Sequence, residues 1–398
     1  MSTNRYNDKN VFFDWMSRTY ITSKAGGVVP PCLIDIHPVS GECNNDCVWC
    51  IGRAQRNEIV PLNKTLDAPN VNDVLDKIFS LRWKPLWPRE VHICGNDSEP
   101  TLSNATKPII EYLHKKPVVV ELITNGLKLD DPDLADAVAQ IDKLSISLDV
   151  TNNDDYKEFK RPKNDTGVSI DNGYDIVIGN LKNIVSRRRN QKSKLHISVT
   201  FVATRHTYHK DQWRRCFVQL RDIGARKIRV RDDLHAKKLV DNLQSDIKAL
   251  NAEIDGIDIG FISPEEKYSD FEYCYGPRIW PALAVDCRLY ACAHIANSTF
   301  RPFADLMQYS TLMELYQDAF YPPNSPCPDV QSIGPCERKC PSMIGRYNEP
   351  ALAKKRLTMT ALPSAKQKRD CIGGTHTKLF NEYTESFFTS ENCSCGYS

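Results

Sequence analysis

The chain has 398 residues, enough for one large core and a smaller second one, and its 41% apolar and 26% charged residues are those of an ordinary globular protein. Its 52 basic and 50 acidic residues nearly cancel, so no overall field recruits nucleic acid or an anionic membrane, and neither is expected as a partner. The polar start MSTNRYNDKN carries no charged-then-apolar signal pattern, and no stretch reaches the roughly 18 apolar residues of a membrane span, so a cytoplasmic protein is expected.

Taken in chain order, short β-branched runs alternate with helical patterns through the first two-thirds of the sequence. That alternation argues for an α/β fold with parallel strands joined by crossover helices. Six strands are predicted: Leu33 to His37, Glu90 to Cys94, Val118 to Thr124, Leu144 to Leu148, Leu195 to Val202 and Lys227 to Arg231. Between them, Val71, Val74, Leu75 and Ile78 share one helical face, as do Leu134, Val138 and Ile141, and then Tyr174, Val177, Ile178, Leu181, Ile184 and Val185. Gly224 is placed to cap a helix over Trp213 to Ile223. Six βα units are too few to close an eight-stranded barrel, so the expectation is a partial (β/α)6 TIM-like barrel with its site at the carboxyl ends of the strands. The pattern weakens after Asp233 and turns rich in cysteine, proline and aromatics from Tyr273. The expected organisation is an N-terminal extension (1–30), the barrel (31–240), a small cysteine-rich α+β domain (241–348) and a polar tail (349–398).

Fifteen cysteines are many for such a protein, and their clustering points to metal ligation rather than disulfides. Cys43, Cys47 and Cys50 follow the first strand with the spacing C-x3-C-x2-C. Three thiolates so close can bind three irons of a cubane and leave the fourth iron open to a cofactor; a zinc site with a distant fourth ligand is the alternative. The triplet, with Trp49 just before its last cysteine, resembles the signature of the radical S-adenosylmethionine (radical SAM) superfamily. The resemblance implies a [4Fe-4S] cluster whose open iron chelates S-adenosyl-L-methionine (SAM), and reductive cleavage to a 5′-deoxyadenosyl radical. The chemistry is the cofactor's; the protein supplies binding and orientation. An external electron donor of flavodoxin or ferredoxin type is implied with it. Further matches follow in order. Gly95 to Pro100 resembles the family's "GGEP" loop, in which Gly95 allows close backbone approach and Asp97 or Glu99 would face the SAM ammonium. Ser147 and Asp149 resemble the "SxD" end of the fourth strand. Asn125, in an Asn-Gly turn, is a weaker candidate contact.

The second cysteine group, Cys274, Cys287, Cys292, Cys327, Cys336 and Cys340, resembles the SPASM or shorter twitch extension, which implies at least one auxiliary Fe–S cluster. Cys287 stands where the SPASM hairpin has a glycine, and Val330 where it has a cysteine. The rival for this region is a zinc-binding structural satellite. An auxiliary cluster suits an oxidation, which also needs a base; His294, Asp232 and Asp233 are candidates. Arg229 and Arg231 could hold an anionic or hydroxylated substrate. About forty residues precede the cluster motif, which argues against a leader-gripping domain. The leading expectation is therefore radical oxidation or epimerisation of a small polar molecule of sugar or aminocyclitol type. A peptide or protein maturase is the closest alternative, and a non-catalytic Fe–S electron carrier the next. Arg187, Arg188 and Arg189 with Lys192 and Lys194 read as a solvated loop.

Overall fold

In the computed structural model the described residues are 30–50, 52, 64–66, 70–80, 87–96, 98–233, 240–262, 276–293, 296–297 and 302–320. They build one ten-stranded sheet flanked by helices. The strands expected from sequence all form: β1 (Leu33–Ile36), β4 (Glu90–Ile93), β5 (Val119–Thr124), β6 (Lys143–Ser147), β7 (His196–Ala203) and β8 (Lys227–Asp232) pair in parallel and in that spatial order. Between β1 and β4 a small antiparallel pair, β2 (Val39–Ser40) with β3 (Lys64–Thr65), closes the loop that leaves β1.

Two more parallel strands extend the sheet beyond the six expected. β9 (Asp258–Ile262) adds to β8, carrying the sheet past residue 240. On the other side β10 (Ala282–Leu283) pairs in parallel with β1, and β11 (Arg288–Tyr290) and β12 (Ala304–Asp305) follow in antiparallel sense. The hairpin that carries Cys287 and Cys292 is thus joined directly to the edge of β1, the strand that leads into the cysteine triplet.

Alternation along the strands explains the layering. Ile34 and Ile36, Val91 and Ile93, Val120 and Leu122, Leu144 and Ile146, Ile197 and Val199, and Ile228 and Val230 are buried in one apolar cluster with the helices. The helices Val71–Ile78, Pro132–Val138 and Gly173–Asn190, through the faces read from sequence, together with Thr106–Leu113 and Lys210–Ile223, supply the other half of that cluster. Each fully buried aliphatic side chain contributes about 1.5–3 kcal/mol relative to exposure. Gly224 caps its helix, its N–H donating to the Leu220 and Arg221 carbonyls. The opposite strand residues, Asp35, His92, Glu121, Ser145, Ser198 and Arg229, leave the inner face of the sheet polar. The Arg187 to Arg189 run lies in the last turn of Gly173–Asn190, where positive charge complements the helix dipole.

Candidate active site

The loop carrying the cysteine triplet is held by a turn that sequence reading passed over. Residues Tyr156–Lys160 form a π-helical turn, ended by Arg161 at φ 51°. Such turns recur at functional sites because they re-aim backbone and side chains. Its carbonyls receive the triplet loop: Asp46 N–H donates to Lys160 O at 2.9 Å and Val48 N–H to Phe159 O at 3.0 Å, while Lys163 N–H returns to Asn44 O at 2.8 Å. Asn45 Nδ2 donates to the Tyr156 hydroxyl at 3.3 Å, and Trp49 stacks on Phe159 with ring centroids 6.2 Å apart. Tyr156 fits only because residue 173 is glycine, since a Cβ there would lie 2.6 Å from the tyrosine ring.

Within this loop Cys43, Cys47 and Cys50 are half-buried and free of disulfides. Burial, the Glu99 carboxylate and the two neighbouring thiols push the Cys43 thiol far up, opposed by the Asn45 N–H, which donates to Cys43 Sγ at 3.4 Å. Burial likewise pushes Cys47 up to about 12, opposed by the nearby Lys160 ammonium. Burial first, and neighbouring negative charge second, disfavours the Cys43 and Cys47 thiolates, and a ligand that neutralises negative charge is what this donor set suits. Three closely spaced thiols fit an iron–sulfur cluster.

Glu99 is buried beside them and already well used. Oε1 accepts from Thr101 N–H at 3.1 Å, Thr101 Oγ1 at 2.7 Å and Thr124 Oγ1 at 2.5 Å, and Oε2 accepts from Asn125 N–H at 2.8 Å. Burial raises its pKa against those hydrogen bonds. The Glu99 N–H donates to Glu42 O at 2.9 Å, tying this loop to the start of the triplet. Gly95 is required for the loop's tight path, because a Cβ would meet Ser98 O at 2.4 Å. Asn125 is a strut: Nδ2 donates to Asn44 Oδ1 at 2.6 Å and approaches Cys43 Sγ at 3.9 Å, while Oδ1 accepts from Leu127 N–H at 3.0 Å. Thus the loops after β1, β4 and β5 are bound into one polar assembly.

The end of β6 joins it through Lys160, only 1% exposed in its side chain. Its ammonium donates to the Ser147 carbonyl and lies 2.9 Å from Asp149 Oδ2, over the Tyr156 ring. Burial pulls its pKa down, but the charges of Asp149 and Cys47 prevail and hold it above the usual lysine range. Asp149 sits at φ 64°, and its Oδ1 accepts from Val202 N–H at 3.0 Å, which links β6 to β7. A left-handed backbone at a buried aspartate is strain held by its surroundings, a pattern found at binding sites.

The remaining sequence candidates divide. Asp232 ends β8 by alternation on the side of Ile228 and Val230, not of Arg229 and Arg231. Burial raises its pKa against a hydrogen bond from the Val240 backbone, and its Oδ1 is buried without a hydrogen-bond partner. Asp233 donates its N–H to Ala203 O at 3.2 Å. Cys287 occupies the β10–β11 turn at φ 60°, a backbone conformation that suits glycine better than cysteine, and Cys292 follows β11; both are half-buried. Asp97, Cys274, His294, Cys327, Cys336 and Cys340 lie outside the described residues. Among the described residues no helix is long and apolar enough to cross a membrane.

Comparison with known proteins agrees with this geometry. Residues 38–214 match the model of the Radical SAM superfamily, a span that includes the triplet, the Gly95 loop, Ser147, Asp149 and Lys160. That span is therefore similar to a radical SAM domain, and the family it resembles implies a [4Fe-4S] cluster and SAM. No curated protein matches. Among solved structures, Streptococcus suis SuiB bound to its precursor peptide SuiA is 13% identical, over 76% of this chain and 68% of that one, with a TM-score of 0.53. SuiB bound to S-adenosylmethionine is also 13% identical, over 76% and 67%, with a TM-score of 0.52. A radical SAM methyltransferase from Sphaerobacter thermophilus is 16% identical over 59% and 66%, with a TM-score of 0.40. The SuiB likeness establishes a shared fold.

Proposed function

We propose that this domain holds a [4Fe-4S] cluster on Cys43, Cys47 and Cys50, binds SAM beside it, and starts radical oxidation or epimerisation of a small polar molecule of sugar or aminocyclitol type. The observation that carries the reading is the hydrogen-bonded assembly in which Glu99, Asn125, Ser147 and Asp149 all converge on the triplet loop at the carboxyl ends of the strands. When bound, the cluster and SAM supply a 5′-deoxyadenosyl radical that removes a substrate hydrogen atom.

The chain's own residues do the rest. Asn125 and Asn44 fix the triplet loop. Glu99 braces the loops after β4 and β5, with Oε2 engaged by a single N–H and so retaining capacity for a cationic donor, as the SAM ammonium requires. Asp97 shares that assignment. Ser147 and Asp149 are assigned to SAM, the serine to its carboxylate or ribose, with Lys160 fixing the strand end that presents them. The polar inner face suits a hydroxylated substrate, with Arg229 and Arg231 on it.

Cys274, Cys287, Cys292, Cys327, Cys336 and Cys340 are assigned to at least one auxiliary Fe–S cluster. The strained Cys287 turn favours this, since a cysteine kept where glycine is easier suggests a role for its sulfur. His294, Asp232 and Asp233 are the candidate bases, and a flavodoxin- or ferredoxin-type donor is the assigned reductant.

A second reading, a peptide or protein maturase, is favoured by the fold likeness to SuiB, a protein that binds a precursor peptide. The two separate by what stimulates SAM cleavage. Reconstituted protein is incubated with SAM, reductant and either a panel of sugars and aminocyclitols or a panel of peptides, and 5′-deoxyadenosine is quantified. Stimulation by the first panel supports the proposal; stimulation by peptides alone replaces it with the second reading.

A further inference from the structure

Among the described residues, the inner face of the sheet carries two buried groups of metal-binding side chains in which one donor atom per residue lies within 4.8 Å of the others: Glu90 with His92 and Glu121, and Asp35 with His37 and Cys94. The first already holds cations. The Lys143 ammonium contacts Glu90 and lies 3.8 Å from Glu121, and His92 Nε2 lies 3.0 Å from Glu90 and 3.5 Å from Glu121. A metal ion there would displace a lysine that neutralises the carboxylates.

The second group differs in chemistry. Asp35, His37 and Cys94 are 3%, 0% and 7% exposed, and together they offer one oxygen, one nitrogen and one sulfur donor. Their placement follows from strand register. Asp35 pairs with His92 and Ile36 with Ile93, so the next residues along, His37 and Cys94, are neighbours, and side chains two apart share a face. The backbone is fixed at both: His37 N–H donates to Leu283 O at 2.9 Å and Cys94 N–H to Ile36 O at 3.0 Å. His92 Nδ1 lies 3.1 Å from Asp35 Oδ1, an outer partner of the kind that orients ligating carboxylates. The group lies one residue before Gly95, at the carboxyl end of β4 and separate from the cysteine triplet.

We propose that Asp35, His37 and Cys94 bind one divalent transition-metal ion of borderline softness, with Zn2+ the type. Mixed N, O and S ligation suits that ion, and three protein ligands leave one tetrahedral position for water or a substrate heteroatom. The site does not depend on SAM cleavage, so its test stands apart from the radical reading.

The test uses full-length protein in which Cys43, Cys47 and Cys50 are all alanine, to remove competition from iron, titrated anaerobically with Co2+ as an optical probe and then with Zn2+. The expected result is a cobalt spectrum in which adding Cys94→Ser removes one site's share of the thiolate charge-transfer intensity, the auxiliary cysteines keeping theirs, and Zn2+ content that falls by one equivalent. His37→Asn, whose smaller side chain keeps hydrogen-bonding capacity, serves if the Cys94 variant loses its far-UV circular dichroism. It should weaken Co2+ binding at least about tenfold, a loss that even outer-shell changes can produce. Identical cobalt spectra and zinc content with and without Cys94 and His37 would overturn the assignment.

Discussion

Replacing Lys160 with methionine keeps the side chain's length and removes its charge. The loss would leave the buried Asp149 carboxylate, among the described residues, with the Val202 N–H as its one remaining hydrogen-bond donor, and the Ser147 carbonyl without its lysine donor. Breaking a buried ion pair from one side costs about 3–5 kcal/mol, because a desolvated charge is left uncompensated. At about 2.1 cal/mol/K of unfolding entropy per residue, a chain of 398 residues moves its midpoint by only about 1.2 °C per kcal/mol, so Lys160→Met should unfold about 4–6 °C below the parent. The assay is anaerobic thermal and urea unfolding of cluster-free protein, followed by circular dichroism. Adding Asp149→Asn removes the stranded charge and should restore part of the loss; the double variant separates a charge effect from mere packing. Iron incorporation gives a second readout, since Lys160 is what opposes the upward shift of Cys47. A Lys160→Met protein within about 1 kcal/mol of the parent, with undiminished iron loading, would refute the reasoning.

Other perturbations probe separate elements. His92 is held up to about 10 despite burial, by hydrogen bonds to Asp35 and Glu90 and the charge of Glu121. Because its folded pKa lies above the unfolded value of 6.5, its contribution is complete below pH 6.5 and is lost as pH rises through about 10. His92→Gln should remove a slope of up to about 1.4 kcal/mol per pH unit from that window in urea unfolding, and an unchanged pH profile would count against the buried network. Gly173→Ala should expel Tyr156 from its seat and lower iron incorporation at the triplet, checked by iron and sulfide assay; full loading would mean the π-helical turn does not hold the loop. Cys287→Gly relieves a left-handed cysteine, so it should stabilise the chain by about 1 kcal/mol if the residue is only structural, but lower auxiliary iron if it is a ligand. The account predicts the loss of iron.

The parts legible in the sequence are those with a strong local signature. Alternating apolar runs with helical faces between them gave six parallel strands, and C-x3-C-x2-C gave the triplet. Lys160 and Tyr156 were not legible, because a lysine in the polar run Tyr156-Lys157-Glu158-Phe159-Lys160 reads as solvated and only the three-dimensional return of the chain to the triplet loop buries it. β9 and β10 were missed for a different reason: Asp258–Ile262 carries a glycine and polar flanks, and Ala282–Leu283 is only two residues long, so both depend on pairing with a sheet already built. The motif points to Glu99 as a ligand contact, while its added role as a brace, through four internal hydrogen bonds, depends on where Thr101, Thr124 and Asn125 fall in space.

The most direct test of the central claim is anaerobic iron and sulfide reconstitution, reduction with dithionite and assay for 5′-deoxyadenosine from SAM, with the Cys43, Cys47 and Cys50 triple alanine variant alongside. The account predicts 5′-deoxyadenosine from the parent protein, none from the variant, and auxiliary iron retained in both. Iron binding by the parent with no cleavage of SAM would contradict it and point instead to an electron carrier.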